Sequence, residues 1–243
     1  MNRDRISVVL PAYESAVLVA EAVAKVRSDL MGRDVEIIVV DDGSSDDTTI
    51  VAREAGADQV IRLDENKGKG AAVREGLRSA TGEYLVFTDV DLAYEPVQIL
   101  NIVELLAGDA DVAVGSRRHF ASANTPTAGW IRDCGSWVFN RLTRLIVPNP
   151  FLDTQCGLKG FTPEAARQIF AKAKIDGFAF DVELLFLARK MGLVVAETPV
   201  TLRHVEQSSV RFIPQAARML WDLVRVRWWA IMGAYNLKAP RSG

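Results

Sequence analysis

Two aspartates one residue apart, Asp89 and Asp91, follow an apolar run in the segment EYLVFTDVDLAYE (83–95). In an extended segment residues i and i+2 face the same side, so both carboxylates can approach one ion. Hard oxygen ligands suit Mg²⁺ or Mn²⁺, and an ion held by one or two carboxylates usually completes its shell with substrate phosphates. The pair therefore predicts a divalent-metal site, in which the ion supplies the positive charge that two neighbouring carboxylates require. Taken alone, it also fits a solvated turn or an aspartate cap ahead of the helix at Pro96.

A second acidic segment, DDGSSDDT (41–48), combines turn residues with carboxylates. Asp, Gly and Ser form turns, and Ser45 or Asp46 can cap the helix that follows. Capping uses one side chain, which leaves Asp41 and Asp42 as acceptors for a ribose or a base edge. The segment NKGKGAAVREGL (66–77) has glycines that permit close backbone approach and lysines that could meet a diphosphate. It matches neither the dinucleotide-binding nor the P-loop pattern.

These segments must be positioned by the elements around them, and the chain alternates short β-branched runs with helical patterns. The predicted strands are at 7–10, 35–40, 58–63, 83–90 and 111–116, and a strand pair is predicted around LVVAETPVTLR (193–203). The predicted helices are at about 15–30, 46–55, 69–80 and 96–107. This alternation predicts an α/β fold with a mainly parallel sheet flanked by helices. Ligands of such sheets bind beyond the carboxyl ends of the strands, so PAYES (11–15), DDGSSDDT and TDVDLAYE should line one crevice.

Composition limits the class of protein. The chain has 243 residues, 49% hydrophobic and 25% charged, with a formal net charge of −2, which predicts a globular protein with no general attraction to nucleic acid. Two cysteines without a CxxC pattern make a disulfide framework or a structural zinc site an unfavourable interpretation. No window reaches the roughly 20 apolar residues of a spanning helix. The N-terminal apolar run is too short for a signal peptide, which favours a cytoplasmic location.

Seven motifs in order resemble one enzyme family. They are PAYES, DDGSSDDT, NKGKGAAVREG, TDVDL, GSR, DTQCGLKGF and FAFDVELL. Their order and spacing resemble the inverting glycosyltransferases of family two with the GT-A fold, and within them the polyprenyl- or dolichyl-phosphate sugar synthases, particularly the dolichyl-phosphate glucosyltransferase branch. The resemblance covers residues 6 to about 212. Glu14-Ser15 stands where the family usually has Asn-Glu, and Val90 replaces the common Ala.

The resemblance implies a role for individual residues. Those that would border the nucleotide sugar are Pro11, Ala12, Tyr13, Glu14, Asp41, Asp42 and Lys69. Asp89 and Asp91 would hold Mg²⁺ or Mn²⁺ on the donor diphosphate. The residues that would grip the phosphate of a polyprenyl-phosphate acceptor are Arg117, Arg132 and Ser136. Arg203 in ETPVTLRH would stabilise the leaving diphosphate, with His204 as a weaker candidate.

The acceptor decides whether a general base is needed. A phosphate monoester is already anionic at neutral pH, so its attack on the anomeric carbon requires no catalytic base. Asp181 in FAFDVELL stands where related sugar-to-sugar enzymes would be expected to place such a base. Here it could orient the acceptor or an arginine, and its simple structural interpretation is a helix cap.

The C-terminal segment combines basic and aromatic residues, which suits a helix lying at a membrane interface. These residues are Arg211, Phe212, Arg218, Met219, Trp221, Arg225, Arg227, Trp228 and Trp229. The alternative is packing into the core or an oligomer interface. We expect residues 1–211 to form the GT-A domain and residues 212–243 an amphipathic helix that contacts membrane or a small membrane-anchor protein, at the cytoplasmic face. Trp130, Trp137, Val138 and Ile146 could present a second apolar surface.

Several functions remain as alternatives at this point. UDP-glucose is the favoured donor, followed by UDP-N-acetylgalactosamine or another UDP-hexose, while a GDP-mannose-dependent mannose synthase is the alternative. A chain-extending polysaccharide synthase is disfavoured, because QAARM (215–219) has Met219 where the QxxRW motif of those enzymes has Trp. A catalytically silent nucleotide-sugar binding partner of a membrane protein is the alternative from another class.

Overall fold

The computed structural model describes residues 5–117, 141, 143, 146–147, 151, 153–203 and 212–237. In these residues the backbone forms one seven-stranded sheet in the order β3-β2-β1-β4-β6-β5-β7. The strands are β1 Ile6–Ala12, β2 Val35–Asp41, β3 Gln59–Arg62, β4 Tyr84–Phe87, β5 Val112–Ser116, β6 Lys159–Phe161 and β7 Val195–Pro199. All neighbouring pairs are parallel except those of β6, which runs antiparallel to both β4 and β5. The predicted mainly parallel α/β sheet is confirmed.

Helices cover both faces of this sheet. They are α1 Ala16–Asp29, α2 Thr48–Glu54, α3 Lys69–Ser79, α4 Ile99–Ala107 after a 3₁₀ turn at Pro96–Gln98, α5 Pro163–Phe170, α6 Phe180–Lys190 and α7 Phe212–Ile231. Pro96 and Pro163 occupy first helical positions, where the missing N–H costs nothing. In the described part of the chain, no helix combines the length and apolar character needed to cross a bilayer.

Two apolar clusters hold the layers together. Strands β1 and β2 are buried along their whole length, as expected for parallel strands with helices on both faces. One cluster joins the sheet to α3, α5, α6 and the inner face of α7, and the other joins it to α1, α2 and α4. Leu223 and Val226 of α7 are fully buried in the first cluster, so this helix is packed onto the remainder of the protein.

The structure corrects two predicted strands. Strand β4 ends at Phe87 and the next residues turn, with the Leu92 amide donating to the Asp89 carbonyl at 3.0 Å and Leu92 in the left-handed region at a φ of +48°. Strand alternation therefore does not orient Asp89 and Asp91. The strand pair predicted around 193–203 is one strand, β7, followed by an isolated bridge between Leu202 and Tyr94.

Candidate active site

A cleft of about 350 Å³ opens at the carboxyl ends of β1, β2 and β4. Its lining residues are Pro11, Ala12, Tyr13, Ser15, Leu18, Asp42, Asn66, Gly68, Lys69, Ala72, Asp89, Val90, Asp91 and Phe178. Residues from the predicted PAYES, DDGSSDDT and TDVDLAYE segments meet here, because parallel strands deliver their carboxyl ends to the same edge of the sheet. The start of α3 contributes Lys69.

Lys69 is the immediate counter-charge of the aspartate pair. Its ammonium lies 2.5 Å from Asp89 Oδ1, and it is within 5.9 Å of the ring centroids of both Phe87 and Phe180. Burial alone would lower the pKa of Lys69, but the carboxylates of Asp89 and Asp181 raise it above its usual value. The ammonium therefore stays charged, and part of the positive charge that the two aspartates require comes from the chain itself.

Asp91 lies beside this ion pair, and Lys69 balances its charge only in part. Burial and the neighbouring Asp89 carboxylate raise its pKa, while one of its oxygens, Oδ1, accepts a hydrogen bond of 3.1 Å from the Ala93 amide. Two carboxylates that repel each other in a cleft form an oxygen donor set suited to Mg²⁺ or Mn²⁺. The described residues contain no group of three or more acidic, His or Cys side chains arranged for a metal. A bound ion would thus have to complete its shell with other oxygens, such as those of a diphosphate.

The two aspartates of the DDGSSDDT segment have different surroundings. Asp42 lines the cleft and accepts hydrogen bonds of 2.8 Å from the amides of both Lys67 and Gly68, and burial raises its pKa. Asp41 is fully buried and does not line the cleft; it accepts from the Ser44 amide and the Thr49 hydroxyl. Asp42 thus faces the ligand space, whereas Asp41 stabilises the turn.

The turn after β1 is joined to the turn after β2. Glu14, at a φ of +48°, accepts from the amide and the hydroxyl of Ser45 at 2.8 Å, and its own amide donates to Ser44 at 2.9 Å. Asp46 accepts from the amides of Thr48 and Ala16 and so serves the starts of both α1 and α2. Neither predicted cap residue is the N-cap of α2, which is Asp47 and forms no side-chain cap bond; the Ser45 hydroxyl contacts Glu14.

Two exposed aromatic side chains stand in the cleft. Tyr13 is 49% exposed and Phe178 is 39% exposed, and both line the same space as Asp42. Exposed aromatic faces bordering a cleft can stack on a planar ring. Phe178 was not among the predicted site residues, although it lies in the FAFDVELL motif.

Arg117, at the end of β5, forms a bidentate ion pair with the buried Asp153. The Arg117 Nε and Nη2 atoms lie 2.6 and 2.8 Å from the two Asp153 oxygens. Burial works against the charge on both partners, but the pairing lowers the pKa of Asp153 and raises that of Arg117. The fork geometry fixes the direction of the guanidinium. Arg132 and Ser136, predicted to act with it, lie outside the described residues, as do His204, Trp130 and Trp137.

Arg203 is connected to the Asp89–Asp91 turn through Ala93. The Arg203 amide donates to the Ala93 carbonyl at 2.8 Å, while the Ala93 amide donates to Asp91. The Arg203 guanidinium lies 3.5 Å from Glu21 and 3.7 Å from Glu95. The backbone thus places Arg203 beside the Asp89–Asp91 turn, with its side chain held at the protein surface by two carboxylates.

Asp181 forms a buried ion pair instead of a helix cap. Its Oδ1 atom lies 2.5 Å from Lys159 Nζ, and the Lys159 side chain is fully buried. Helix α6 has no side-chain cap, which removes the simple structural interpretation of Asp181. Burial raises the pKa of Asp181 against the opposing effect of Lys159 and Lys69. Sequence reasoning missed Lys159, and the only signal for it was a single lysine in the apolar LKGF segment.

Comparisons with known proteins agree with this geometry. The model of glycosyl transferase family 2 matches residues 7–170. The chain is 29% identical to the dolichyl-phosphate beta-glucosyltransferase of Dictyostelium discoideum, covering 96% of this chain and 77% of that protein. It is 32% identical to the enzyme of the same description from Homo sapiens, covering 98% of this chain and 79% of that protein. The chain therefore belongs to glycosyltransferase family 2.

Solved structures establish the fold independently. Glucosyl-3-phosphoglycerate synthase from Mycobacterium tuberculosis in complex with UDP superposes with a TM-score of 0.69 at 22% identity, covering 97% of this chain and 81% of that one. A complex of that synthase with Mn²⁺, UDP-glucose and phosphoglyceric acid gives a TM-score of 0.68 at 20% identity, with coverage of 97% and 81%. The fold is GT-A-like, and the prediction of a glycosyltransferase is confirmed.

Proposed function

We propose that this enzyme transfers a hexose, with inversion, from a UDP-sugar to the phosphate of a polyprenyl phosphate. Two curated relatives are described as dolichyl-phosphate beta-glucosyltransferases, which supports a lipid phosphate acceptor and glucose as the first sugar to test. The structural neighbour was solved with UDP and with UDP-glucose, which supports a uridine nucleotide. UDP-N-acetylgalactosamine and GDP-mannose are the alternative donors.

The observation that carries the proposal is that each described carboxylate that could serve as a base already has a partner or another proposed role. Asp181 is buried and paired with Lys159 at 2.5 Å. Among the residues that line the described cleft, the carboxylates are Asp42, Asp89 and Asp91. Asp42 holds two backbone amides, and the other two form the predicted metal site. An alcohol acceptor would need a base to remove its proton, whereas a phosphate monoester attacks as an anion.

Each part of the cleft has a proposed role. Asp42, with Tyr13 and the strand end at Pro11 and Ala12, borders the nucleoside, while Glu14 and Asp41 maintain the turns around it. Lys69 reaches the diphosphate. Asp89 and Asp91 hold Mg²⁺ or Mn²⁺, which would supply positive charge to the leaving diphosphate when bound.

The arginines are the second part of the proposed machinery. Arg203 adds positive charge on the leaving-group side of the Asp89–Asp91 turn. Arg117, kept in one orientation by Asp153, receives the acceptor phosphate together with Arg132 and Ser136. In this proposal, cations bind the donor diphosphate and the acceptor phosphate, and the acceptor phosphate is itself the nucleophile.

The outer face of α7 supports contact with a membrane. Trp221 and Trp228 are 65% and 60% exposed, and they share this face with Val224, Ile231 and Met232. Arg218, Arg225 and Arg227 are exposed on the same helix, against a single acidic residue, Asp222. Apolar residues flanked by cations match the headgroup region of an anionic bilayer. Met219 and Trp229, predicted to share this surface, instead pack against the core, and Arg211 lies outside the described residues.

This arrangement supports peripheral binding to the cytoplasmic face of a membrane, where a lipid acceptor is presented to the enzyme. The inner face of α7 is anchored, since Tyr235 beyond its end donates to Glu183 at 2.7 Å. A small membrane-anchor protein is the alternative occupant of the outer face. Deleting residues 212–243 would also expose the core, so substitutions on the outer face are the appropriate test.

The donor panel tests the proposal as a whole. Purified full-length protein is incubated with polyprenyl phosphate and, separately, with labelled UDP-glucose, UDP-N-acetylgalactosamine or GDP-mannose, with Mn²⁺, with Mg²⁺ or with EDTA. We expect metal-dependent label in the organic extract from a UDP-sugar, with glucose the best. Label from GDP-mannose alone would replace the uridine assignment, and label from no donor would contradict the lipid acceptor.

A further inference from the structure

Lys159 is a fully buried lysine at the centre of the sheet. It lies in β6 and pairs with Phe87 of β4, and Phe87 is two residues before Asp89 in the chain. Its ammonium lies 2.5 Å from Asp181 Oδ1, donates to the Cys156 carbonyl at 2.6 Å and is 5.6 Å from the Phe87 ring centroid. Burying a charged ammonium is costly unless it is paired and hydrogen-bonded. These two contacts satisfy that requirement.

The contact with Cys156 connects Lys159 to the segment 153–157. At one end of this segment, Asp153 holds Arg117 in the bidentate pair. At the other end, Gly157 lies against Asp89 so closely that an added Cβ would collide with Asp89 Oδ2. One short segment therefore contacts both a proposed metal ligand and a proposed acceptor-phosphate ligand.

The contact with Asp181 connects the same ammonium to α6. Helix α6 is packed against the core on nearly every side, so Asp181 is a rigid support. Lys159 thus ties the loop that precedes β6 to a buried helix. The hydrogen bond to the Cys156 carbonyl accompanies the ion pair, so the same ammonium that balances Asp181 also joins segment 153–157 to α6.

We propose that Lys159 is a positioning residue that holds segment 153–157 against the site and so fixes Asp89 and Arg117. The part of this proposal that concerns Arg117 and the acceptor rests on the proposed function. The part that concerns Asp89 rests on the metal site alone. Lys159 touches no substrate in this arrangement and acts through its neighbours, as residues that orient metal ligands commonly do.

Two variants of the full chain separate this role from simple charge balance. Lys159→Met leaves Asp181 without its partner, so we expect it to lower the melting temperature. Lys159→Met/Asp181→Asn removes both charges, so we expect the melting temperature to recover. The bond to the Cys156 carbonyl is absent from both, so both should bind Mn²⁺ in the presence of UDP about 10- to 100-fold more weakly than the wild type.

Mn²⁺ binding is measured by electron paramagnetic resonance, and KM for polyprenyl phosphate is measured where transfer occurs. Glu183→Gln is the matched control, because Glu183 is also a buried carboxylate of α6 but bonds Lys174, Ile175 and Tyr235. We expect the control to lose thermal stability without a change in Mn²⁺ affinity. A folded double variant with wild-type Mn²⁺ affinity would overturn the proposal and leave Lys159 as a counter-charge.

Failure of this inference is distinct from failure of the proposed function. A wild-type protein that binds Mn²⁺ with UDP but transfers nothing to polyprenyl phosphate would contradict only the acceptor, and the comparison of Mn²⁺ affinities would still decide the role of Lys159. A wild-type protein that binds no Mn²⁺ would overturn the metal assignment and this role with it.

Discussion

Lys69 Nζ lies 2.5 Å from Asp89 Oδ1, so the first residue of α3 supplies a cation to the carboxylate that follows β4. This ion pair explains how two neighbouring acidic residues are tolerated in a cleft. It also means that a divalent ion approaching Asp89 meets a resident ammonium. Under the proposed function, a metal ion bound at Asp89 would leave this ammonium available to a diphosphate.

Replacing Lys69 should therefore change metal and nucleotide binding in opposite directions. In Lys69→Met, the nucleotide-free protein should bind Mn²⁺ roughly tenfold more tightly, because the competing cation is gone, while UDP should bind roughly tenfold more weakly, a change of about 1.4 kcal/mol. Titration calorimetry with each ligand alone measures both. Parallel losses of both affinities would show that Lys69 serves the site only as structure.

Arg117 should determine the affinity for the acceptor and not for the donor. Arg117→Lys keeps the charge but loses the bidentate hold of Asp153, so kcat/KM for polyprenyl phosphate should fall about 10- to 100-fold. Affinity for UDP, measured by calorimetry, should remain at the wild-type value. A selective loss of UDP affinity would place Arg117 on the donor side.

The Arg117–Asp153 pair should make stability depend on acid pH. Arg117 lowers the pKa of Asp153 in the folded protein. An aspartate in the unfolded chain has a pKa of about 3.9, so between that pH and the lower folded pKa the unfolded chain binds more protons than the folded protein. This contribution to stability is present above that range and is lost as the pH falls through it. Asp153→Asn should lower the free energy of unfolding by about 1–3 kcal/mol at neutral pH. It should also make the free energy of unfolding less dependent on pH in the acid range. Urea unfolding of the wild type and the variant from pH 7 to pH 3 measures both effects. The same pH dependence of the free energy of unfolding in both proteins would contradict the pairing.

The outer face of α7 should carry membrane binding. Trp221→Gln/Trp228→Gln should bind vesicles that contain phosphatidylglycerol at least about tenfold more weakly, because two exposed apolar rings are removed. Cosedimentation also compares the wild type on phosphatidylcholine alone, where binding should be weaker because the arginines lack anionic partners. Met31→Gln, which replaces another exposed apolar side chain, is the matched control. Binding to native membranes but not to protein-free vesicles would favour the membrane-anchor protein.

Much of the fold could be predicted from the sequence, because β-branched runs, helical patterns and glycines are local signals. Asp42 and Asp89 line one cleft as expected from the carboxyl-end rule for parallel sheets, and Lys69, which was predicted from the family resemblance, lines it with them. The end of β4 was predicted three residues too late, because Thr88 and Val90 have strong strand propensity while the turn at Leu92 has no glycine to mark it.

Contacts between distant segments could not be predicted in the same way. A lysine within a strand normally indicates a solvent-facing position, yet Lys159 is buried because β6 enters the sheet between β4 and β5 and faces Asp181, 22 residues away. Composition also did not show which residues of α7 face the core and which face solvent. Trp228 and Trp229 are adjacent in the chain, but packing against the first apolar cluster covers Trp229 and leaves Trp228 exposed.

Two acceptors that differ only in their phosphate distinguish a phosphate nucleophile from an alcohol nucleophile. The protein and its Asp91→Asn variant are given labelled UDP-glucose and Mn²⁺ with either polyprenyl phosphate or the corresponding polyprenol, and the organic phase is counted. We predict label on polyprenyl phosphate with the wild type alone and none on polyprenol, because the described site supplies cations and no free base. Equal transfer to the polyprenol, or transfer that survives Asp91→Asn, would contradict this prediction.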